Sequence, residues 1–492
     1  MKLTELLNKV RVIQVTGNAE LKEINSITID SRTAEKNSIF FAIDGFKTDG
    51  HKFIPDAINK GVDAVVLKNA DAVPDQIFSH SGAVKIVVED TRKSLAEFSN
   101  IFFNEPSKKL TMVGITGTKG KTTTAFYVKN IFQHTGSKTG LLGTIANYIG
   151  DKEVKTMLTT PQPHEINFLL NEMVKNDCRS CVMEVSSHAL DLHRVDGVDY
   201  NIAIHTNITS DHMDYHKTLE HYLKSKKILF DMLGTDGKII YNIDDPNFEE
   251  LIKDSKAEKH SYGTKENAEF RMQNVEFNLD GTSFDLVYEG KEYHLQTSLV
   301  GHFNAYNATA AFAAAVLSGI DTDTAVEGVK TTPQVPGRFE VVSKKNKRVI
   351  IDYSHTSDSL KQALTAIDHI VKNKRPVYTV FGCGGDRDRT KRPVMGNIAS
   401  TMSNRVYVTS DNPRAEDPYF IIDEILKGIK LNNYRVIENR EEAIRTAIFE
   451  SEDDAVILIA GKGHENYQEI MGVRKHFSDK EISEKYLEEW AK

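Results

Sequence analysis

The chain has 492 residues and a formal net charge of −8. At ~100–200 residues per domain it is too long for one core, and about three domains are expected. The acidic balance excludes a general basic surface for nucleic acid, so any phosphate binding must be local.

No apolar run approaches the ~18 residues of a membrane span, and the amphipathic start, residues 1–10, lacks the apolar centre of a signal peptide. Three cysteines, Cys178, Cys181 and Cys383, are too few for a disulfide framework and are expected as buried thiols. A cytoplasmic protein without nucleic-acid or membrane partners is expected, acting as a monomer on small molecules.

Residues 1–106 alternate short apolar runs (38–43, 64–67, 84–88) with helical patterns (53–60, 92–103), which predicts a small N-terminal α/β domain. Its polar knots, Asp30-Ser31-Arg32 and Asp49-Gly50-His51-Lys52, are accounted for by ordinary turn chemistry.

A central domain, residues 107–335, opens on the apolar run 110–113. There follows Gly114-Ile115-Thr116-Gly117-Thr118-Lys119-Gly120-Lys121-Thr122-Thr123-Thr124 and a helical pattern over 122–134. Strand, glycine-rich loop and helix in this order predict a nucleoside triphosphate site. Backbone N–H groups of Gly117 to Gly120 turn onto phosphate oxygens, Lys121 reaches the terminal phosphates, and the Thr122 hydroxyl holds magnesium. Ile115 stands where the general pattern has its first glycine, so the loop is a shortened variant.

The next strand ends in Glu184-Val185-Ser186-Ser187-His188. A carboxylate at the end of a buried strand is costly unless paired or cation-bound, which makes Glu184 a magnesium candidate. Strand 200–205 leads to Asp211-His212-Met213-Asp214-Tyr215-His216, on the side where open α/β sheets bind ligands. On the helix 221–230, Lys224-Ser225-Lys226-Lys227 has the spacing of a solvated charged face. Period-two alternation over 270–277, 283–288 and 293–299 predicts an antiparallel β insertion. It precedes His302-Phe303-Asn304-Ala305-Tyr306-Asn307 and an alanine-rich helix to residue 317.

Over residues 336–492, strands at 349–353, 377–381, 405–408 and 455–459 alternate with five helices, which predicts a C-terminal doubly wound, Rossmann-like sheet. Polar clusters follow the strands: Ser354-His355, Gly384-Gly385-Asp386-Arg387-Asp388, Ser410-Asp411-Asn412-Pro413-Arg414 and Gly461-Lys462-Gly463-His464-Glu465. Guanidinium and carboxylate held together suit an amino acid. A triphosphate loop with an amine site already suggests amide formation through an activated carboxylate.

These separated motifs, with Thr159-Thr160-Pro161, Thr206-Asn207 and Pro336-Gly337-Arg338, resemble the Mur ligase family along nearly the whole chain, most closely its MurE type. The resemblance implies ATP-dependent addition of meso-diaminopimelate to UDP-N-acetylmuramoyl-L-alanyl-D-glutamate in peptidoglycan precursor synthesis. It implies that Ser31 holds the UDP part and that Thr159, Thr160, Ser186 and Arg194 hold the muramoyl-dipeptide arm. Gly117, Thr118, Lys119, Gly120, Lys121, Thr122 and Thr123 would take the ATP phosphates, with Mg2+ on Thr122, Glu184 and His212. Asn304 and Asn307 match adenine contacts; Arg338 and Asp352 match positions near the ribose and phosphates. Lys226 matches a lysine that is carbamylated in the family. Arg387, Asp411, Asn412, Arg414, Gly461 and Glu465 match the diaminopimelate site, in which Arg414 pairs with the distal carboxylate that lysine lacks. Lys121, Lys226, His212 and His355 are the expected catalytic groups, His355 as the base for the amine.

The sequence departs from the family pattern in places. Lys119 replaces the usual asparagine, Ser354 and Ser357 replace alanine and proline, and Phe477-Ser478-Asp479-Lys480 replaces an Asp-Asp-Arg pattern. Two rivals stay open: a related ligase joining another amino acid and carboxylate, and a regulatory ATPase that forms no bond.

Overall fold

The computed structural model describes residues 1–45, 48–209, 211–372 and 374–492. The chain separates into two compact units, Met1–Phe270 with Ala310–Ala325, and Arg271–Thr309 with Val326–Lys492.

The first unit holds two sheets. In the N-terminal one, Ser26–Thr28, Ser38–Phe41, Ala64–Leu67 and Val84–Val87 run parallel, and Gln14–Thr16 adds an antiparallel edge. Strands 38–41, 64–67 and 84–87 are buried at every position, Ser38 and Lys85 included, and their other residues are apolar.

The second sheet has a parallel core in the order Glu258–Gly263, Lys238–Asn242, Ile202–His205, Thr111–Thr116, Cys178–Glu184, Lys138–Leu142. Thr111–Thr116 is central, with Glu184 level with Ile115 and His205 level with Thr116. The carboxyl ends of three strands therefore converge on the loop after Thr116, where open parallel sheets bind ligands. Helix Pro163–Lys175 covers one face, burying Leu170 and Met173 against Cys181 and Met183. All three cysteines are buried thiols.

In the second unit, which takes all but the first residue of Phe270–Asn278, that strand, Gly281–Tyr288 and Lys291–Thr297 pair antiparallel. Strict alternation of burial along Gly281–Tyr288 explains the period-two signal. The C-terminal sheet has the order Glu340–Lys344, Lys347–Asp352, Val456–Ala460, Val377–Phe381, Arg405–Val408, Tyr434–Val436, parallel except for the first pair. Ile350 and Leu458 pack on helices Ser357–Val371 and Lys391–Met402, whereas Val349, Ile351 and Ile457 pack on Arg440–Glu450 and Asp479–Trp490. Adjacent residues thus face opposite helical layers, as a doubly wound sheet requires. Among the described residues no helix is long and apolar enough to cross a membrane.

Candidate functional site

The loop Gly117–Gly120 joins the central strand to helix Lys121–Gln133, whose N-cap is Gly120 at φ 84°. Gly117 has φ 149°, and a Cβ there would lie 1.9 Å from the Thr206 Oγ1, so no other residue fits against the neighbouring strand end. Asn207 splints the loop: its O accepts the Thr118 N–H at 2.7 Å and its Oδ1 accepts the Lys119 N–H at 3.1 Å. Lys119 O accepts the Thr206 hydroxyl and the Asn207 amide at 2.7 and 3.0 Å. The backbone of Lys119 is therefore fixed whichever side chain it carries.

Lys121 Nζ curls over the loop to donate to Gly117 O and Thr118 O at 2.8 and 2.9 Å. Thr122 donates to Glu184 Oε2 at 2.8 Å, and Glu184 also accepts the Thr144 N–H at 2.9 Å and the Thr144 hydroxyl at 3.0 Å. Glu184 is 1% exposed, and these donors offset its burial. The Thr122, Thr144 and Glu184 oxygens suit a hard cation such as magnesium, which characteristically takes one or two protein carboxylates and completes its shell with phosphate and water. Among the described residues no group of three or more His, Cys, Asp or Glu could hold a metal ion.

The solvated face expected for Lys226 does not form. Lys224 lies outward, paired with Glu220, and Lys227 is largely covered between Asp231 and Asp254, while Lys226 is 1% exposed. Its Nζ donates at 2.8 Å to Gly117 O, the carbonyl that also accepts Lys121. Burial, reinforced by Lys121, holds its pKa well below the usual lysine range, which favours a neutral, nucleophilic amine. His212 caps the short helix Met213–His216 at φ 55°. Desolvation lowers its pKa, with Lys121 and Lys226 adding to the effect. It packs edge-on at 4.9 Å against His188, whose pKa falls to about 4 mainly through burial. Both rings are therefore neutral near pH 7 and carry a lone pair.

Thr159, Thr160, Ser186 and Arg194 gather beside Glu184. Thr144 donates to Thr159 at 3.1 Å, Thr160 donates to Glu184 O at 2.8 Å and to Ser186 at 3.3 Å, and Arg194 Nη1 donates to Thr160 O at 3.1 Å. Ser31 belongs instead to the turn Ser31–Thr33 of the N-terminal domain, where Asp30 accepts the Arg32 backbone N–H and pairs with its guanidinium.

The remaining sequence-assigned residues fall in the second unit. Asn307 donates to Asn304 Oδ1 and Asn304 to Val300 O, both at 2.9 Å. Arg338 stacks on Tyr353 at 4.9 Å, and the carboxylate of Asp352 accepts the Phe339 N–H at 2.8 Å and the Ser354 hydroxyl. His355 Nδ1 lies 2.9 Å from Tyr353 O, which places the proton on Nδ1 and the lone pair on Nε2.

Asn412 is the hub of the C-terminal cluster. Its amide donates to Glu465 Oε2 at 2.7 Å, and its Oδ1 accepts Lys462 Nζ at 3.0 Å and the Glu469 N–H at 2.9 Å. Burial raises the Glu465 pKa, against Lys462. Gly461, at φ 122°, leaves room for Asp411, whose Oδ2 would lie 2.6 Å from a Cβ there. Arg414, itself at φ 54°, donates through Nη1 to Gly385 O at 2.7 Å. Arg387 is exposed on the adjoining loop.

Models of three domains match in chain order: the Mur ligase family catalytic domain at residues 23–103, the Mur ligase middle domain at 115–315 and the Mur ligase glutamate ligase domain at 337–463. The UDP-N-acetylmuramoyl-L-alanyl-D-glutamate--2,6-diaminopimelate ligase 1 of Clostridium acetobutylicum is 42% identical over 492 residues, covering 99% of this chain and 100% of the relative. The chain belongs to the Mur ligase family. The corresponding diaminopimelate ligase of Clostridium botulinum is 41% identical, covering 95% of this chain and 96% of the relative. A solved structure of a UDP-N-acetylmuramoyl-L-alanyl-D-glutamate--2,6-diaminopimelate ligase superposes with a TM-score of 0.70 at 30% identity, covering 99% of each chain.

This Mur ligase also uses residues that sequence spacing does not single out. Thr144 completes the shell of Glu184, and Lys462 bridges Asn412 and Glu465. Arg440, fully buried, forks onto Asp479 with two 2.8 Å bonds and donates to Ala460 O at 3.1 Å. Where the family pattern shifts to Ser478-Asp479-Lys480, Ser478 caps the last helix, Asp479 pairs with Arg440 and Lys480 pairs with Glu340 at 2.6 Å. The departure thus falls on structural positions.

Proposed function

We propose that the protein is an ATP-dependent amide ligase that adds meso-diaminopimelate to the D-glutamate of UDP-N-acetylmuramoyl-L-alanyl-D-glutamate. Residues 1–106 hold the UDP part, 107–335 the ATP phosphates and the muramoyl-dipeptide arm, and 336–492 the amino acid. The observation that carries the choice of amino acid is the Asn412–Lys462–Glu465 array with Arg414 beside it. Together they offer a carboxylate for an ammonium group and guanidinium for a second carboxylate.

The reaction runs in two steps. The D-glutamate γ-carboxylate oxygen attacks the γ-phosphorus of ATP, the bond to the bridging oxygen breaks, and ADP leaves. The amine of diaminopimelate then attacks the acyl carbon, loses its proton to a base, and phosphate departs from the tetrahedral intermediate. Lys121 stabilises charge on the transferring phosphoryl group, with loop N–H groups other than those of Thr118 and Lys119, which Asn207 holds. Thr122, Glu184 and His212 would hold magnesium, which supplies further neutralisation of phosphate charge when bound. His355 Nε2 takes the amine proton.

Phosphate release measured with UDP-muramoyl-dipeptide plus meso-diaminopimelate, L-lysine or neither tests this. Release should be fast with diaminopimelate only; equal rates in all three arms would instead identify a regulatory ATPase, and preference for another amine a ligase of different substrate.

Lys226 carries a carbamate in the working enzyme. Its neutral nitrogen attacks carbon dioxide and releases a proton, replacing an amine beside Lys121 by an anion. Isotopically labelled carbon dioxide should give a carbamate resonance in the wild type that is lost in Lys226→Met; its presence in both would place the modification elsewhere.

A further inference from the structure

Arg392 is completely buried in the C-terminal domain beside the amino-acid cluster, and the reaction does not use it. Its Nη1 donates to Glu416 Oε2 at 3.0 Å and to Glu424 Oε2 at 2.6 Å, and its Nη2 to Glu416 Oε1 at 2.9 Å and to Gly384 O at 3.2 Å. Glu416 also accepts the Asp386 N–H at 2.6 Å and Arg389 Nη2 at 2.8 Å. One carboxylate therefore joins the loop of Arg387, the helix Lys391–Met402 and the loop of Arg414.

The two loops touch closely. Gly385 N donates to Asn412 O at 2.9 Å, and a Cβ on Gly385 would sit 1.9 Å from Pro413 O. The position of a Cβ on Gly384 is 2.8 Å from Arg414 Nη1 and 3.9 Å from Arg387 Cγ, so both guanidinium-bearing side chains flank this turn. Asp386 and Arg414 occupy the left-handed region at φ 53° and 54°, a strained conformation that persists only where its surroundings over-determine it. A buried ion network adds little stability over apolar packing, and its best-attested use is to fix a geometry.

We propose that Glu416 and Arg392 are positioning residues for amino-acid selection: their pair locks the two loops so that Arg414 presents its guanidinium group to a distal carboxylate. This rests on the proposed amino-acid site and adds residues that do not themselves touch substrate. In the full-length enzyme, Glu416→Gln should raise KM for meso-diaminopimelate about tenfold, the change from breaking one charge-assisted contact. kcat at saturation and KM for ATP should stay near wild type, and the preference over L-lysine should fall by the same factor. Arg392→Lys, which keeps the charge but loses the fork, should behave alike.

Because the pair acts through Arg414, Glu416→Gln combined with Arg414→Ala should be no worse toward diaminopimelate than Arg414→Ala alone. Wild-type KM and preference in both Glu416→Gln and Arg392→Lys, or multiplying effects in the double variant, would overturn the positioning role while Arg414→Ala still lost preference. If Arg414→Ala kept full preference, the amino-acid site itself would be wrong, and the positioning role would fall with it.

Discussion

Lys121→Ala is expected to lower ATP-dependent turnover by about 10²–10³-fold, or ~2.7–4 kcal/mol of transition-state stabilisation, the loss typical of removing one preorganised donor from a developing anion. The structure explains why no neighbour substitutes. Lys121 spans its own loop, bonded to Gly117 O and Thr118 O, while Lys226 is anchored on the same Gly117 carbonyl. An incoming phosphate offers Lys121 an anionic partner in place of two carbonyls. Steady-state phosphate release by folded Lys121→Ala, checked by circular dichroism, measures the effect. Wild-type turnover would show that the loop does not bind the reacting phosphate.

Arg414→Ala is expected to weaken use of meso-diaminopimelate by about 2–5 kcal/mol in kcat/KM, the range for truncating one partner of a buried charged pair. The slow reaction with L-lysine should hardly change, since lysine has no distal carboxylate to lose. Arg414 is well placed for this selectivity because its backbone is held on both sides: its N–H donates to Glu469 O at 3.1 Å, and its O accepts the Met471 N–H at 2.7 Å. Removing the guanidinium should leave that backbone frame standing, so the loss reports recognition. An unchanged KM for diaminopimelate would mean that another group reads the second carboxylate.

The buried parallel strands were legible because most residues in them are apolar and enclosed. Val377–Phe381 and Arg405–Val408 fall where the sequence predicts them. The edges were not. Tyr434–Val436 and Val473–His476 are exposed at every position, and Glu340–Lys344 is buried only at its first residue; strands without a core face carry no alternation to detect. Yet the hairpin Tyr467–Ile470 with Val473–His476 bears on the site, since it seats the backbone of Arg414.

The candidate site divides in the same way. Short motifs such as Gly117 to Thr123 and Asp411 to Arg414 are local, and the chemistry of their residues is readable from spacing. Lys226, Arg392 and Arg440 look like surface charges in sequence because their burial depends on distant partners. Lys226 reaches Gly117 across 109 residues, Arg392 reaches Glu416 across 24, and Arg440 reaches Asp479 across 39. Only the resemblance to Mur ligases drew Lys226 out, and nothing in the sequence drew out the two arginines. A charged residue within a helix pattern is usually solvated, and the exceptions are decided by tertiary packing.

The central claim is that ATP activates a carboxylate for attack by an amine, and oxygen transfer tests it most directly. With heavy-oxygen label in the γ-carboxylate of the D-glutamate residue, turnover with meso-diaminopimelate should deliver labelled oxygen to the released phosphate, because the acyl phosphate breaks between carbon and that oxygen. Unlabelled phosphate, released at the same rate as amide product, would contradict the acyl-phosphate route and the account built on it.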